Sequence, residues 1–245
     1  MQNIENKVVI VTGASSGIGR AIAMDLARQG AGLVLSARSD AGLSEVLEEI
    51  SSAGGQAIMR RADVSQREDV AALVDTALDH YGRLDVIVSN AGIAPISPLS
   101  DLRVDDWDAM VDINFKGALN AVAAALPVFL RQGSGHFVFT ISTAGLVVSP
   151  TMAVYAATKN AVRALVEGLR VESNGKYRVT GVSPGFVATN LAQSMTDETV
   201  RRSIEATMSE IALNPDDIAR AVSFAIGQPE HVDIGDIVIR PAVQN

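Results

Sequence analysis

Residues 7–30 read KVVIVTGASSGIGRAIAMDLARQG, and this stretch decides the fold. The apolar run 7–11 predicts a buried strand, and apolar residues at helical spacing predict a helix over 17–30. The turn between them, TGASSGIG, carries glycines in the spacing G-x3-G-x-G. Glycines in such a turn let the backbone approach a pyrophosphate, and the N-terminus of the following helix favours an anion. The stretch therefore predicts a strand–turn–helix unit that binds phosphate.

The rest of the chain repeats the alternation of strand and helix, which is typical of βαβ units and a parallel sheet. The further predicted strands cover 33–36, 56–60, 85–88, 136–141, 178–182 and 236–239. The further predicted helices cover 43–53, 70–81, 104–131, 152–174 and 215–227. We therefore predict the α/β class and one domain, 1–245: a single-domain Rossmann fold with a doubly wound, seven-stranded parallel sheet and helices on both faces.

Residues 186–212 interrupt the alternation, because they contain no strand pattern. They include Met195, Met208 and a predicted short helix near 196–208. Open α/β sheets place ligand loops after the carboxyl ends of their strands. We therefore predict that 186–212 is a substrate lid, and a plain surface helix is the alternative interpretation.

Composition excludes several function classes. The formal net charge is −8, which disfavours nucleic acid as a partner. The chain has no cysteine, which excludes disulfides and thiolate chemistry. His80, His136 and His231 form no ligand pair at helical or turn spacing. We therefore predict no metal site and expect the histidines on the surface or in loops.

The start of the chain and its hydropathy bear on location. Residues 1–7 lack the basic region and the apolar run of a signal peptide. No uninterrupted apolar stretch reaches the ~18 residues of a membrane span. We therefore expect a cytoplasmic protein with no membrane partner.

Tyr155 and Lys159 are the first candidates for acid–base chemistry. They are four residues apart in a predicted helix, so they share one face. An ammonium beside a phenol favours the phenolate, and we therefore expect Lys159 to lower the pKa of Tyr155 from its usual value near 10. A tyrosine with such a pKa can exchange a proton near neutral pH.

Further polar and glycine positions fall at strand ends or on flanking helices, on the side where such sheets bind ligands. Ser142 ends the strand that precedes the helix of Tyr155, and Asn114 lies within the long helix before it. The remaining positions are Asn90, Ala91, Gly92, Pro184, Gly185 and Thr189.

The order T-G-x3-G-x-G, N-A-G, Asn, Ser, Y-x3-K and P-G-x3-T resembles the short-chain dehydrogenase/reductase family over residues 7–240. The resemblance implies that Tyr155 protonates a carbonyl oxygen and that Ser142 bonds the same oxygen. It implies that Lys159 lowers the Tyr155 pKa and also holds the nicotinamide ribose. Asn114 resembles the residue that anchors a water in a proton relay to Lys159.

The resemblance also implies a set of contacts to the cofactor. The residues implied around the pyrophosphate are Gly13, Ser15, Ser16, Gly17, Ile18 and Gly19. Asp63 and Val64 resemble the pair that contacts adenine, and Asn90, with Ala91 and Gly92, resembles the segment that steadies the central sheet and the cofactor. The residues implied on the nicotinamide side are Tyr155, Lys159, Pro184, Gly185, Val187 and Thr189.

The end of the second strand favours NADP(H) over NAD(H). Members of the family that are specific for NAD place an acid where this chain has Ala37, and Arg38 follows it. A guanidinium suits a 2′-phosphate, and the Ser36 hydroxyl can add a hydrogen bond. Asp40 is the competing signal, because it lies at the distance expected of a ribose-binding acid. We interpret Asp40 instead as the cap of the following helix.

Two departures from the family bear on the substrate. Ser89 stands where many members have a first asparagine before Ala-Gly. The C-terminal sequence VDIGDIVIRP over 232–241 lacks the V-D-G-G of fatty-acid reductases, and resembles members that act on small hydroxy acids, aldehydes and ketones. We therefore expect an NADP(H)-dependent carbonyl reductase or alcohol dehydrogenase.

Three alternative functions stay open at this point. A 3-oxoacyl-[acyl-carrier-protein] reductase shares the catalytic residues. A non-catalytic, dinucleotide-binding redox sensor shares the fold, although the complete set of catalytic residues argues against it. A sugar epimerase or dehydratase of the extended type needs a separate substrate domain, which 245 residues do not supply. The family resemblance also implies a homotetramer.

Overall fold

Five consecutive buried residues form the first strand, β1 (Val8–Thr12), at the centre of the computed structural model, which describes residues 4–244. The other strands are β2 (Gly32–Ala37), β3 (Gln56–Arg61), β4 (Val86–Ser89), β5 (His136–Thr140), β6 (Arg178–Pro184) and β7 (Asp236–Ile239). All pair in parallel, in the order β3-β2-β1-β4-β5-β6-β7. The predicted seven-stranded Rossmann sheet is confirmed; residues 1–3 and 245 of the predicted domain lie outside the described residues.

The helices cover both faces of this sheet. They are α1 (Gly17–Arg28), α2 (Asp40–Ser52), α3 (Arg67–Tyr81), α4 (Val104–Met110), α5 (Gly117–Gln132), α6 (Ala153–Glu172), α7 (Glu198–Ile211) and α8 (Pro215–Ile226). Alternate residues of β1 enter different cores: Val9 and Val11 pack with α1, α2 and α8, whereas Val8 and Ile10 pack with α3, α5 and α6. Burial on both faces explains why the strands are continuous apolar runs.

The predicted long helix is a composite of three segments. Helices α4 and α5 are joined without a break by a π-helical segment, Val111–Lys116. Within the run Val104–Gln132, an 18-residue window is apolar enough to cross a membrane by length and composition alone, with a mean hydropathy of 1.4. Its α5 part instead packs Ala121, Ala125 and Phe129 into the core shared with β4 and β5, as a core helix does.

Two local expectations are wrong. His136 is not a surface or loop residue, because it begins β5 and is 1% exposed, with its Nε2 2.8 Å from the Thr180 hydroxyl. Asp40 is not the cap of α2. Ser39 is the N-cap, its Oγ accepts from the Gly42 amide, and Asp40 is the first helical residue. The preceding serine takes the cap because its backbone is already extended at the end of the turn.

The segment 186–212 contains a 3₁₀ turn, Asn190–Ser194, and helix α7. Helix α7 has no fully buried residue among those described, and its Val200, Ile204 and Met208 pack on an apolar cluster that includes Tyr155. At its base, Val187 pairs with Leu213. The segment therefore follows the carboxyl end of β6 and packs on this apolar cluster, and its role as a lid stays a prediction.

Phe137 tests the packing of the core beneath α5. It is fully buried, and its ring contacts Phe129 at 4.8 Å and Tyr177 at 5.6 Å between centroids. We expect Phe137→Ala to lower the free energy of unfolding by about 3–5 kcal/mol, because it leaves a cavity. Urea denaturation measures this. Phe224→Ala, at a position 47% exposed, is the control and should change stability by less than about 1 kcal/mol; similar losses in both variants would contradict the assignment.

Candidate active site

The strand order reverses between β1 and β4, and a large cavity opens at the carboxyl ends of the strands there. Its volume is about 660 Å³. The predicted residues that line it are Gly13, Ser15, Ser16, Gly17, Ile18, Ser36, Arg38, Asp63, Val64, Asn90, Ala91, Gly92, Ser142, Tyr155, Lys159, Pro184, Gly185, Val187 and Thr189. Gly19 and Asn114 lie behind the lining. The topology thus brings together residues that are up to 176 positions apart, from Gly13 to Thr189.

The glycine-rich turn is shaped by contacts that exclude side chains. Gly13 has φ +68°, a backbone conformation that favours glycine. A Cβ on Gly19 would lie 2.2 Å from the Gly13 carbonyl oxygen, so the helix can pack on the turn only with glycine there. Gly19 is therefore a packing residue rather than part of the cavity wall.

The N-terminus of α1 faces this turn, with Ser16 as its N-cap and no side-chain hydrogen bond closing the cap. The amides of the first helical turn lack partners within a helix, and together with the helix dipole they attract an anion. A glycine-rich turn beside such amides fits a pyrophosphate, and the cavity runs from it along the ends of β2, β4 and β5. These features fit a dinucleotide in extended form.

The end of β2 supplies groups that carry no internal partner. The Ser36 hydroxyl is buried and has no hydrogen-bond partner within the described chain. Arg38 lines the cavity, is exposed, and forms no ion pair within residues 4–244. Asp40 does not line the cavity. The sequence left open whether Arg38 or Asp40 faces the ribose of the dinucleotide. In the structure the cavity wall after β2 carries the cationic Arg38 and not the acidic Asp40.

On the far side of the turn, Asp63 and Val64 follow β3. One carboxylate oxygen of Asp63 accepts from both the backbone amide and the hydroxyl of Ser65. The Val64 carbonyl accepts from the buried Asn120 amide at 2.9 Å. Both residues are thus held rigidly, and both line the cavity.

Asn90 joins three strand ends. Its Nδ2 donates to the Thr12 carbonyl at 3.0 Å, and its Oδ1 accepts from the Thr140 hydroxyl at 3.1 Å. The Thr12 hydroxyl accepts from the Asn90 and Ala91 amides at 3.0 and 3.1 Å. These bonds fix the ends of β1, β4 and β5 around the switch point.

Ser142, Tyr155 and Lys159 meet at the end of β5. Lys159 is 4% exposed, and its Nζ donates to the Thr140 carbonyl at 2.9 Å. The same Nζ lies 5.8 Å from the centroid of the Tyr155 ring. Ser142 caps the short 3₁₀ turn Thr143–Gly145 by accepting from the Ala144 amide. The serine and the tyrosine thus share one wall with the lysine behind them.

The protonation of this group differs from the sequence expectation. Burial raises the pKa of Tyr155, and hydrogen bonding with the Ser142 hydroxyl opposes the rise. Burial lowers the pKa of Lys159 to about 8. The expected lowering of the Tyr155 pKa by Lys159 is therefore wrong for this structure, because burial disfavours the charged phenolate. Tyr155 is a neutral phenol at neutral pH.

Asn114 supports the site from the π-helical segment. Its side chain accepts from the Ile93 amide and donates to the Ile93 carbonyl, both at 2.9 Å, and it also donates to the Thr158 hydroxyl at 3.2 Å. Thr158 in turn donates to the Tyr155 carbonyl. Asn114 therefore ties the loop after β4 to the helix that carries Tyr155 and Lys159. Single π-helical turns often occur at functional sites.

The other end of the cavity is mainly apolar. Its side chains come from the loop after β4, the loop before α6 and the segment 186–212, and include Ile93, Ile96, Leu146, Val147, Met152, Met195, Ile204 and Met208. The segment is fastened there by Ser194, whose hydroxyl accepts from the Ala94 amide, and by an ion pair between Arg103 and Asp197 at 3.7 Å. No spacing pattern in the sequence predicts these contacts.

Thr140 and Gln244 are among the polar residues of the site that are absent from the sequence-based set. The Thr140 carbonyl accepts from the Lys159 Nζ, and the Thr140 hydroxyl donates to the Asn90 Oδ1. In the sequence, only its position at the end of a predicted strand indicates a role at the site. Gln244 also lines the cavity, and nothing in the linear pattern near the C-terminus indicates this.

The short chain dehydrogenase family model matches residues 7–200. The chain belongs to this family. An uncharacterized oxidoreductase of Listeria monocytogenes is 45% identical over 244 residues, covering 98% of each protein. Among solved structures, an alcohol dehydrogenase from the archaeon Thermococcus sibiricus, complexed with 5-hydroxy-NADP, has a TM-score of 0.88 at 32% identity, covering 98% of this chain and 99% of that one.

A short chain dehydrogenase/reductase from Burkholderia phymatum, in complex with NAD, has a TM-score of 0.90 at 29% identity, covering 97% of this chain and 90% of that one. Both nicotinamide dinucleotides therefore occur among the structural neighbours of this short-chain dehydrogenase. The chain is an oxidoreductase of the family.

The buried Lys159 predicts a pH dependence of stability. Its folded pKa, about 8, lies below the ordinary 10.5, so at neutral pH the buried charge costs on the order of 3 kcal/mol. Between these values the unfolded chain binds more protons, so wild-type stability rises with pH. Lys159→Met has no buried ammonium and so lacks this pH dependence. We therefore expect its stability relative to wild type to fall as pH rises from about 8 to 10. Denaturant titrations at several pH values measure it, and a constant difference would contradict the buried charge.

Proposed function

We propose that this short-chain dehydrogenase transfers hydride between NADP(H) and a small ketone or aldehyde, or the corresponding secondary alcohol, with hydroxy acids as further candidates. One observation carries the proposal: Tyr155, Ser142 and Lys159 share a cavity with an anion-attracting turn at the strand switch point. Steady-state turnover of a panel of ketones, aldehydes and hydroxy acids with each dinucleotide tests it. No turnover with any of them, despite dinucleotide binding, would favour the redox-sensor alternative.

Tyr155 is the proton donor in this proposal. Its raised pKa keeps the phenol protonated at neutral pH, as reduction of a carbonyl requires. In reduction, the phenolic proton moves to the carbonyl oxygen, and in oxidation the phenolate takes the alcohol proton. Ser142 is on the same wall and donates a hydrogen bond to the same oxygen, which polarises the carbonyl.

Lys159 serves as the charge behind the phenol. With a pKa of about 8, its ammonium is mostly protonated at neutral pH and stabilises the phenolate as the proton leaves. It also offers donors to the nicotinamide ribose. Asn114 positions the loop after β4 and the helix of Lys159, and we propose that it also anchors the relay water.

The remaining lining residues would hold the dinucleotide, which supplies or accepts the hydride when it is bound. The turn from Gly13 to Ile18 would hold the pyrophosphate, and Asp63 with Val64 the adenine. Val187 and Thr189 lie at the base of the lid segment, where they would contact the nicotinamide side. Arg38 and the unpartnered Ser36 hydroxyl would hold the 2′-phosphate of NADP(H).

The substrate end favours a small molecule over an acyl-carrier protein. Its walls are mainly apolar, which suits a carbonyl flanked by carbon groups. Acyl-carrier proteins are acidic and need free cations at the rim. Arg103, Arg201 and Arg202, which lie beside or within the lid segment, are each paired with an acid of that segment. At this end Arg240 is the cation that lines the cavity without an ion pair within residues 4–244. We propose a homotetramer in the cytoplasm, as in the family resemblance, and light scattering tests the subunit number.

Tyr155→Phe tests the proton donor. We expect kcat to fall by about 10²–10⁴-fold, because the general acid is lost while the ring remains. The dissociation constant of NADPH, measured by fluorescence titration, should stay nearly unchanged. Tyr177→Phe, a buried tyrosine outside the cavity, is the matched control and should keep wild-type kcat. The assignment fails if Tyr155→Phe keeps more than about half of kcat while deuterated NADPH shows that hydride transfer limits the rate.

Arg38 tests the choice of dinucleotide. We expect wild type to prefer NADPH, and Arg38→Ala to weaken NADPH binding about tenfold to a hundredfold, the size of one or two charge-assisted hydrogen bonds. Use of NADH should change little. Ala37→Asp should shift the preference towards NADH, because a carboxylate repels the phosphate and accepts from the ribose diol. The measurement is kcat/KM with both dinucleotides, with Arg131→Ala as a control outside the cavity; a wild type that prefers NADH would refute the proposal.

A further inference from the structure

The C-terminal segment after β7 turns back over the active site. Pro241 is buried, and its carbonyl accepts from the Gln244 amide at 2.9 Å, which closes a turn. The turn directs Gln244 to the cavity wall, whereas Val243 beside it is 69% exposed. Gln244 therefore lines the cavity together with Arg240, whereas Val243 points away from it.

The Gln244 side chain bridges two separate walls. Its Oε1 accepts from the Phe186 amide at 3.0 Å. Its Nε2 donates to the Thr143 hydroxyl at 3.4 Å. Thr143 follows Ser142, and Phe186 is the first residue of the lid segment, whose carbonyl accepts from the Leu213 amide at the other end of that segment.

Gly185 makes room for this bridge. A Cβ at this position would lie 2.2 Å from the Gln244 Oε1 and 2.8 Å from the Arg240 Cβ. Distances below 3.0 Å do not occur for real Cβ atoms, so any side chain at 185 displaces the glutamine. The position of the Gln244 side chain is thus defined jointly by the end of β6 and the C-terminal segment.

We propose that Gln244 is a positioning residue for the substrate end of the cavity. It holds the Ser142–Thr143 wall against the base of the lid, so that Ser142 and the lid's apolar side chains meet the carbonyl at a fixed separation. The inference rests on the proposed function for its effect on turnover. The bridge itself is independent of turnover, since both of its bonds lie within the protein.

The two bonds set the expected size of the effect. A hydrogen bond of this kind contributes about 0.5–1.5 kcal/mol, which corresponds to about twofold to tenfold in an equilibrium constant. We expect Gln244→Ala to raise KM for ethyl acetoacetate about threefold to thirtyfold and to lower kcat less. The dissociation constant of NADPH should change less than KM does, because Gln244 adjoins only the proposed nicotinamide contacts and not the turn of Gly13.

The decisive measurement is hydrogen exchange on the enzyme without ligands. Gln244→Ala should speed exchange in peptides covering 186–192 and 143–147. Gln244→Glu keeps an acceptor for the Phe186 amide, and the Thr143 hydroxyl can donate to its second carboxylate oxygen, so both stretches should exchange more slowly than in Gln244→Ala. Val243→Ala, in the same segment but exposed, should match wild type in both exchange and kinetics.

The outcomes separate the two proposals. Wild-type exchange at 186–192 in Gln244→Ala overturns the bridge, whatever the enzyme turns over. A lower melting temperature with unchanged KM and kcat also overturns the positioning role, because it leaves only a structural one. Faster exchange at both walls, in a protein that reduces none of the carbonyls tested, supports the bridge and refutes the proposed function alone.

Discussion

The hydrogen bonds of Thr12 and Asn90 hold together the ends of β1, β4 and β5, and the rest of the site depends on this arrangement. In a doubly wound sheet the chain leaves β1 in one direction and returns through β4 on the other side, so a crevice opens between the two strand ends. The Asn90 side chain spans that crevice from the Thr12 carbonyl to the Thr140 hydroxyl. The glycine-rich turn follows β1 and the wall with Ser142 follows β5, so this one side chain helps to set the distance between the proposed phosphate-binding and proton-transfer ends.

Burial then decides how the proton-transfer end behaves. The low polarity around Tyr155 and Lys159 keeps the phenol neutral and brings the ammonium pKa down to about 8. The same burial costs stability through the lysine charge, which only the Thr140 carbonyl offsets by a direct bond within the described chain. Thr140 also bonds Asn90. The proton-transfer residues are therefore coupled to the switch point through a residue that performs no chemistry itself.

The fold was predictable because local patterns and global architecture agree. Each strand is buried on both faces, so it reads as an apolar run, and each connection is a helix with its own periodicity. The motifs likewise lie where parallel strands end, and all but two of the predicted site residues line one cavity. The exceptions, Gly19 and Asn114, act on the turn and on the loop after β4 from behind, which spacing in a sequence does not distinguish from direct contact.

The sequence by itself determined the parallel sheet, the glycine-rich turn after β1 and the residues proposed for proton transfer, because each depends on chemistry or periodicity carried within a short stretch. Only the tertiary structure decided the direction of the Tyr155 pKa, the burial of His136, the cap at Ser39 and the position of the Gln244 side chain. Desolvation depends on every neighbour in space, and the contacts of Gln244 join residues 58 and 101 positions apart in the chain. No local pattern encodes either quantity.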